Sequence, residues 1–155
     1  MLSISHATVG AFIATRVDNP ALSIPLILAS HYLLDAVPHW DAGTGLGNGS
    51  KSVGKALLLE LPDLLLAGTI VLLFFPFSFP FSQPPQDLLL LPQIWGAFLG
   101  LLPDFLEAPR NFLKYEPAVL RPLNKFHHAF HHSIPHLLPG LAPQIILLLT
   151  IWFYR

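Results

Sequence analysis

The sequence predicts an all-α membrane protein, a polytopic bundle of about five helices forming one integral membrane domain over residues 1–155. Three observations carry this expectation. Apolar residues make up 53% of the chain and charged ones only 11%, with a mean hydropathy of +0.59, outside the usual range of soluble domains. Residues 64–86 and 88–103 hold no charged side chain, and 126–154 hold no Lys, Arg, Asp or Glu; a membrane helix needs roughly 17–25 such residues. The remaining polar residues are clustered rather than spread. Cysteine is absent, which excludes disulfides and thiolate metal sites. The net charge of −1 excludes the basic surface that nucleic-acid binding requires. The N-terminus lacks a basic n-region and a cleavage site, so it reads as a helix and not as a signal peptide.

The first helix is expected from about Ile4 to Val17. Its small residues Ala7, Gly10, Ala11 and Ala14 suit close helix–helix approach in lipid. Asn19 is a cap and Pro20 a first helical residue for the second helix, which continues to about Ala36. Residues 42–52 form a glycine-rich loop without phosphate-loop spacing. The third helix runs from about Val53 to Phe75 and carries Glu60, Pro62 and Asp63; a proline- and phenylalanine-rich connection follows, from Pro76 to Gln86. The fourth is expected from about Asp87 to Glu107, with Pro103-Asp104 near its end, and the fifth from about Leu137 to Tyr154, closing on aromatic anchors. Trp40 and Trp95 read as interface or packing aromatics, and His136, framed by prolines, as structural.

The chemistry gathers around Ser30-His31-Tyr32-Leu33-Leu34-Asp35-Ala36-Val37-Pro38-His39-Trp40-Asp41. His31 and Asp35 are four apart, so a helix sets them on one face, near enough to share an ion. Pro38 ends that helix. His39 and Asp41 beyond it read equally as ligands, as outer partners of a ligand, or as a solvated turn. Neutral imidazole plus carboxylate is the donor set of zinc and similar cations. In His127-His128-Ala129-Phe130-His131-His132, both His127 with His131 and His128 with His132 have the spacing that chelates one ion on a helix. The plainer reading of this run is a histidine patch at headgroup depth. Asp63 lies well inside the third helix, where an ionisable group costs about 2.5–3.5 kcal/mol on insertion scales; its plainer reading is a helix-end carboxylate reaching water.

Lys51, Lys55, Arg110, Lys114, Arg121 and Lys125 fall in two loops, while 76–86 has no basic residue. The positive-inside rule then sets those loops and the N-terminus in the cytoplasm. With that topology His6, His31, Asp35, Asp63, Asp104 and the 127–136 segment converge on one rim. Two short similarities, Ser5-His6 with Ser30-His31 and Leu61-Pro62-Asp63 with Leu102-Pro103-Asp104, are compatible with a duplicated hairpin.

At His6, Ser30-His31-x-x-Leu34-Asp35, Leu102-Pro103-Asp104 and Phe130-His131-His132-Ser133, the chain resembles the bacterial family of predicted membrane-bound, metal-dependent hydrolases of the LexA-regulated inner-membrane type. That family is in turn similar to the helical zinc phospholipase C and P1 nuclease group, which cleaves phosphate esters. The motif order differs, since Ser-His-x-x-x-Asp comes last in the family and early here, and Phe105-Leu106 replaces an acidic position after Pro103-Asp104.

The resemblance and the residues together imply a metal-dependent phosphoric ester hydrolase of a bacterial or archaeal cytoplasmic membrane, acting on a lipid at the cytoplasmic interface. The expected metal ligands are His6, His31, Asp35, Asp63, Asp104, His128 and His132, holding one or two zinc ions, with manganese as an alternative. His127, His131 and Asp63 are the expected catalytic groups, and Arg110 and Lys125 would hold a headgroup phosphate. Transport or binding of a divalent metal is the competing expectation, although a transporter needs polar groups through the full depth of the bilayer. A structural role in a larger membrane complex has only small size in its favour.

Overall fold

The computed structural model describes residues 1–46, 49–76 and 89–155, and the described residues form six helices. They are α1 (Ser3–Arg16), α2 (Pro20–Asp35), α3 (Val53–Phe74), α4 (Pro92–Leu113), α5 (Arg121–Phe130) and α6 (Leu137–Tyr154). The expected all-α class holds, and the signals read from the sequence operate at the helix ends. Asn19 Oδ1 accepts from the Ala21 amide at 2.9 Å, with Pro20 in the first turn, and Ser52 Oγ accepts from the Lys55 amide at 3.3 Å. Two helices differ from expectation. The fourth continues through Pro103 and Pro109 to end at Lys114, which takes a left-handed conformation, and α5 forms from the histidine segment that was to precede the last helix. The expected fourth-helix start at Asp87 and the 77–86 part of the connection lie outside the described residues.

α1 is the hub. Its residues from Ser3 to Ala11, together with Ala14, are buried, and it touches α2, α3, α4 and α6. Small side chains make this possible. A Cβ on Gly10 would lie 2.2 Å from the Gly96 carbonyl oxygen, and one on Gly100 would lie 2.3 Å from that of His6. The Gly96–Gly100 pair of α4 therefore rests directly on α1 backbone, the small-xxx-small contact of membrane helices. α2 presents a single narrow stripe inward (Ser23, Ile27, His31 and Asp35), each one turn from the next.

Of the five spans expected, two helices among the described residues, α3 and α6, are long and apolar enough to cross a membrane. α1, at 14 residues, is only ~21 Å long at 1.5 Å per residue, short of a hydrocarbon core of about 30 Å. α3 and α6 carry large apolar side chains on their outer faces, with Leu58 73% and Phe153 79% exposed.

The loop after α2 is tied to the segment after α5. His39 N donates to His132 O at 3.1 Å, Ile134 N to His39 O at 2.7 Å, and His132 N to Asp35 O at 2.9 Å, making an isolated parallel bridge between His39 and Ser133. Gln144 of α6 locks the arrangement. Its Nε2 donates to Trp40 O and Gly140 O, and its Oε1 accepts from the Leu2 amide and Ser5 hydroxyl.

Candidate metal centre

Asp35 is the last residue of α2, fully buried, and its two oxygens face different neighbours. Oδ2 lies 2.9 Å from His127 Nε2 and 3.4 Å from His31 Nε2. Those two nitrogens are 3.3 Å apart, and Asp104 Oδ1 lies 3.7 Å from each. On the other side Oδ1 lies 3.7 Å from His39 Nε2. His39 Nε2 is 3.1 Å from His131 Nε2, and Asp41 Oδ2 is 3.1 Å from the first and 3.2 Å from the second. His31, Asp35, Asp104 and His127 thus form one donor set; Asp35, His39 and His131 form a second, with Asp35 common to both and Asp41 beside the two histidines of the second.

The spacings fit a metal. A tetrahedral ion with bonds of ~2.0–2.1 Å holds its donors roughly 3.3 Å apart, and the distances in both sets fall on either side of that value. Proton placement agrees. His31 Nδ1 lies 2.7 Å from Gly100 O and His39 Nδ1 2.8 Å from Val37 O. Carbonyl oxygens only accept, so in the neutral ring each Nδ1 carries the proton and each Nε2 turns a lone pair into the cluster. Glu107 Oε2 lies 3.3 Å from His127 Nδ1, near enough to pair but without a hydrogen bond. Asp41 Oδ2 is buried beside both rings of the second set, 3.1 Å from His39 Nε2 and 3.2 Å from His131 Nε2. The buried His/Asp groups are thus able to hold a metal ion, and nothing in the geometry selects which one.

Local sequence explains how four separate segments supply these donors. The stripe of α2 carries His31 and Asp35 inward. Pro38 turns the chain, and the bridge to 132–134 returns His39 and Asp41 to the cluster. α4, held on α1 by its glycines, brings Gly100 O, Asp104 and Glu107. α5 buries Asn124 and His127, and His131 follows as its C-terminal cap.

The ligands expected from the sequence divide. His31, Asp35 and Asp104 meet, as do His127 and His131, which were expected as acid–base groups. His128 and His132 are exposed, because α5 turns Arg121, Lys125 and His128 outward and ends at Phe130. His132 Nδ1 bonds Phe130 O at 2.9 Å. Asp63 is buried away from both sets, its oxygens accepting from the Ser3 and Ile4 amides at 2.6 and 3.2 Å. It satisfies the free donors that every helix N-terminus presents. His6 stacks on His31 with ring centroids 3.9 Å apart, and its Nε2 lies 3.1 Å from Asp35 Oδ1. The Met1 amine also bonds Asp35 Oδ1 and lies 3.0 Å from His6 Nε2. Arg110 pairs with Glu107 at 3.1 Å, and Lys125 is exposed. His39 and Asp41, left open by the sequence, belong to the cluster. Glu107 and Gln144 carried no sequence signal beyond being polar in apolar surroundings.

One side of the centre is open. Asp104 and His131 retain side-chain exposures of 35% and 29%, and with Asp41, Glu60 and Glu107 they line a cavity of about 210 Å³ whose other walls include Leu57, Leu61, Leu64, Phe105 and Phe112. Asp41 and His131, both outside the helices, set the charge there. Burial alone would push the Asp41 carboxyl up, but hydrogen bonds from His131 and His39 outweigh it and hold the group well below the usual carboxylate range. Burial pulls the His131 imidazole down, and the hydrogen bond to Asp41 more than restores it, so its pKa is raised. Comparison with protein-family models, with curated proteins and with solved structures finds no match for the chain.

Proposed function

We propose that the protein is a membrane-embedded, metal-dependent hydrolase that cleaves a phosphoester of a lipid substrate at the membrane interface. The observation that supports this most strongly is the pair of donor sets sharing Asp35, one of four donors and one of three, open on one side to a cavity with acidic and imidazole groups at one end and leucine and phenylalanine walls. In this reading α3 and α6 lie in a bacterial or archaeal cytoplasmic membrane, and the centre faces the cytoplasm.

Zinc or manganese held by these residues would supply an activated water and a clamp for phosphoryl oxygens. The protein's own residues do the rest. Asp35 fixes the spacing of the two sets by giving one oxygen to each. Gly100 O and Val37 O orient the rings of His31 and His39 so that Nε2 faces inward, and Glu107 stands beside His127 Nδ1. Glu60 adds a carboxylate to the cavity wall, held there by the Ser3 hydroxyl at 2.6 Å. Leucine and phenylalanine walls exclude bulk water and receive the apolar part of the substrate.

The test is turnover. Zinc- or manganese-loaded protein in detergent, offered a panel of phospholipids and prenyl phosphates, should release phosphate or a phosphorylated headgroup, and chelation should abolish the release. Proteoliposomes should show no metal flux. Chelator-sensitive flux with no turnover across the panel would overturn the reading in favour of divalent-metal transport.

A further inference from the structure

A second cavity, of about 250 Å³, lies between α3 and α4 with Ala7 of α1 also lining it. Its lining is entirely apolar, and Leu64 belongs to both cavities. The two therefore adjoin along α3 at Leu64, and the lining changes in character from one to the other. Carboxylates and His131 stand at the metal end, and beyond Leu64 there is only hydrocarbon. Small residues hold the far part open. Ala7, Ala67, Gly68 and Ala97 line it, and a Cβ added to Gly68 would meet nothing within 4 Å. From Leu64 to Leu72 the groove follows α3 for ~12 Å at 1.5 Å per residue, most of the ~15 Å that one leaflet contributes to the hydrocarbon core.

We propose that this groove seats one hydrocarbon chain of the lipid whose phosphate is presented to the metal centre. The proposal deepens the hydrolase reading and rests on it for the headgroup. The substrate class it names is a phosphate ester on a single chain lodged lengthwise between α3 and α4. Shape favours one chain, because helices bound the cavity on both sides. Polarity sets direction, because a phosphate at the apolar end would be desolvated without a partner.

The experiment uses full-length, zinc-loaded protein in lipid nanodiscs and a long-chain lipid phosphate bearing a photoreactive diazirine at mid-chain. A matched neutral lipid without phosphate is the control. Labelling by the phosphate lipid should concentrate on residues 64–72 and 94–101 and fall when zinc is chelated. Gly68→Phe, which projects into open space, should lower this labelling by about tenfold, the loss expected from excluding roughly two buried methylenes, with unchanged zinc content. Ala97→Leu provides a second block from the opposite wall. Both variants should still hydrolyse a short-chain, water-soluble phosphate ester at the wild-type rate. Labelling spread evenly over the outer faces of α3 and α6, the same for both lipids, would mean surrounding lipid only and would overturn the proposal. Focused, zinc-dependent labelling without hydrolysis of any ester would keep the groove and discard the hydrolase reading.

Discussion

Asp35 gives one oxygen to each donor set, so replacing it should act on both while replacing a histidine should act mainly on one. Asp35→Ala is expected to lose all bound metal, and His31→Ala or His39→Ala about half. His128→Ala and His132→Ala should lose none, because both side chains are exposed; elemental analysis of the purified variants distinguishes these outcomes. Glu107→Gln keeps the shape beside His127 Nδ1 and removes the charge, and should weaken metal binding by about 10–100-fold, the usual effect of losing such an outer partner. The pH dependence follows from His131. A metal requires its neutral ring, and its raised pKa means that zinc affinity should begin to fall above the ordinary imidazole value of about 6.5 as pH decreases. Without metal the sign reverses. A raised histidine pKa contributes stability fully below about pH 6.5 that is lost as pH rises through the folded value. Asp41, held low, contributes stability above about pH 3.9 that is lost only as pH falls through its folded value. Melting curves of zinc-free and zinc-loaded protein from about pH 6 to about pH 8 should therefore diverge, the first falling and the second rising; parallel curves would contradict the role given to His131. His31 and Asp35 were legible in the sequence because one helical turn separates them. The choice between the two histidine pairs was not, because their spacing is identical and only the rotation of α5 decides it.

The packing of α4 on α1 sets the depth at which Asp104 and Glu107 enter the centre. Gly100→Val would force a Cβ into the space held by the His6 carbonyl, 2.3 Å away. The expected result is an overpacking loss of ~1–3 kcal/mol or more, read as a lower melting temperature, together with reduced metal binding because Gly100 O would no longer hold His31 Nδ1. Gln144→Leu should destabilise by a similar order, about 1–3 kcal/mol for each buried group left without a partner, since the Leu2 amide and Trp40 O both depend on that amide. Helix positions were largely readable from caps, prolines and apolar runs; α6 begins and ends where the sequence placed it. The small face of α1 was readable too, but its partner on α4 was not, because glycines in an apolar run carry no address. Asp63 shows the opposite failure. A buried carboxylate in a membrane helix suggests function, and here it is bonded to the backbone of α1, a contact between segments far apart in the chain that no local pattern announces.

At the scale of the whole molecule, apolar helices bring the carboxylates and imidazoles of the centre together from separate segments. The absence of cysteine makes the orientation directly testable. If the centre faces the cytoplasm as proposed, Lys114→Cys, in the exposed turn after α4, should react with a membrane-impermeant thiol reagent only from the cytoplasmic side. Labelling from the outside alone would invert the topology. Composition made the apolar character of the helices legible, but two of the five expected spans are long and apolar enough among the described residues, because a run without charges does not reveal whether a short helix such as α1 crosses the bilayer or is enclosed by others. The central claim is that Asp35 joins two metal sites, and the most direct measurement is metal content combined with anomalous scattering on the purified protein and on Asp35→Ala. Two transition-metal ions per chain, bridged by Asp35 at the ~3.5–4 Å separation of two-metal centres and both lost in the variant, is the predicted result. A metal-free protein, or full metal content retained in Asp35→Ala, would contradict it.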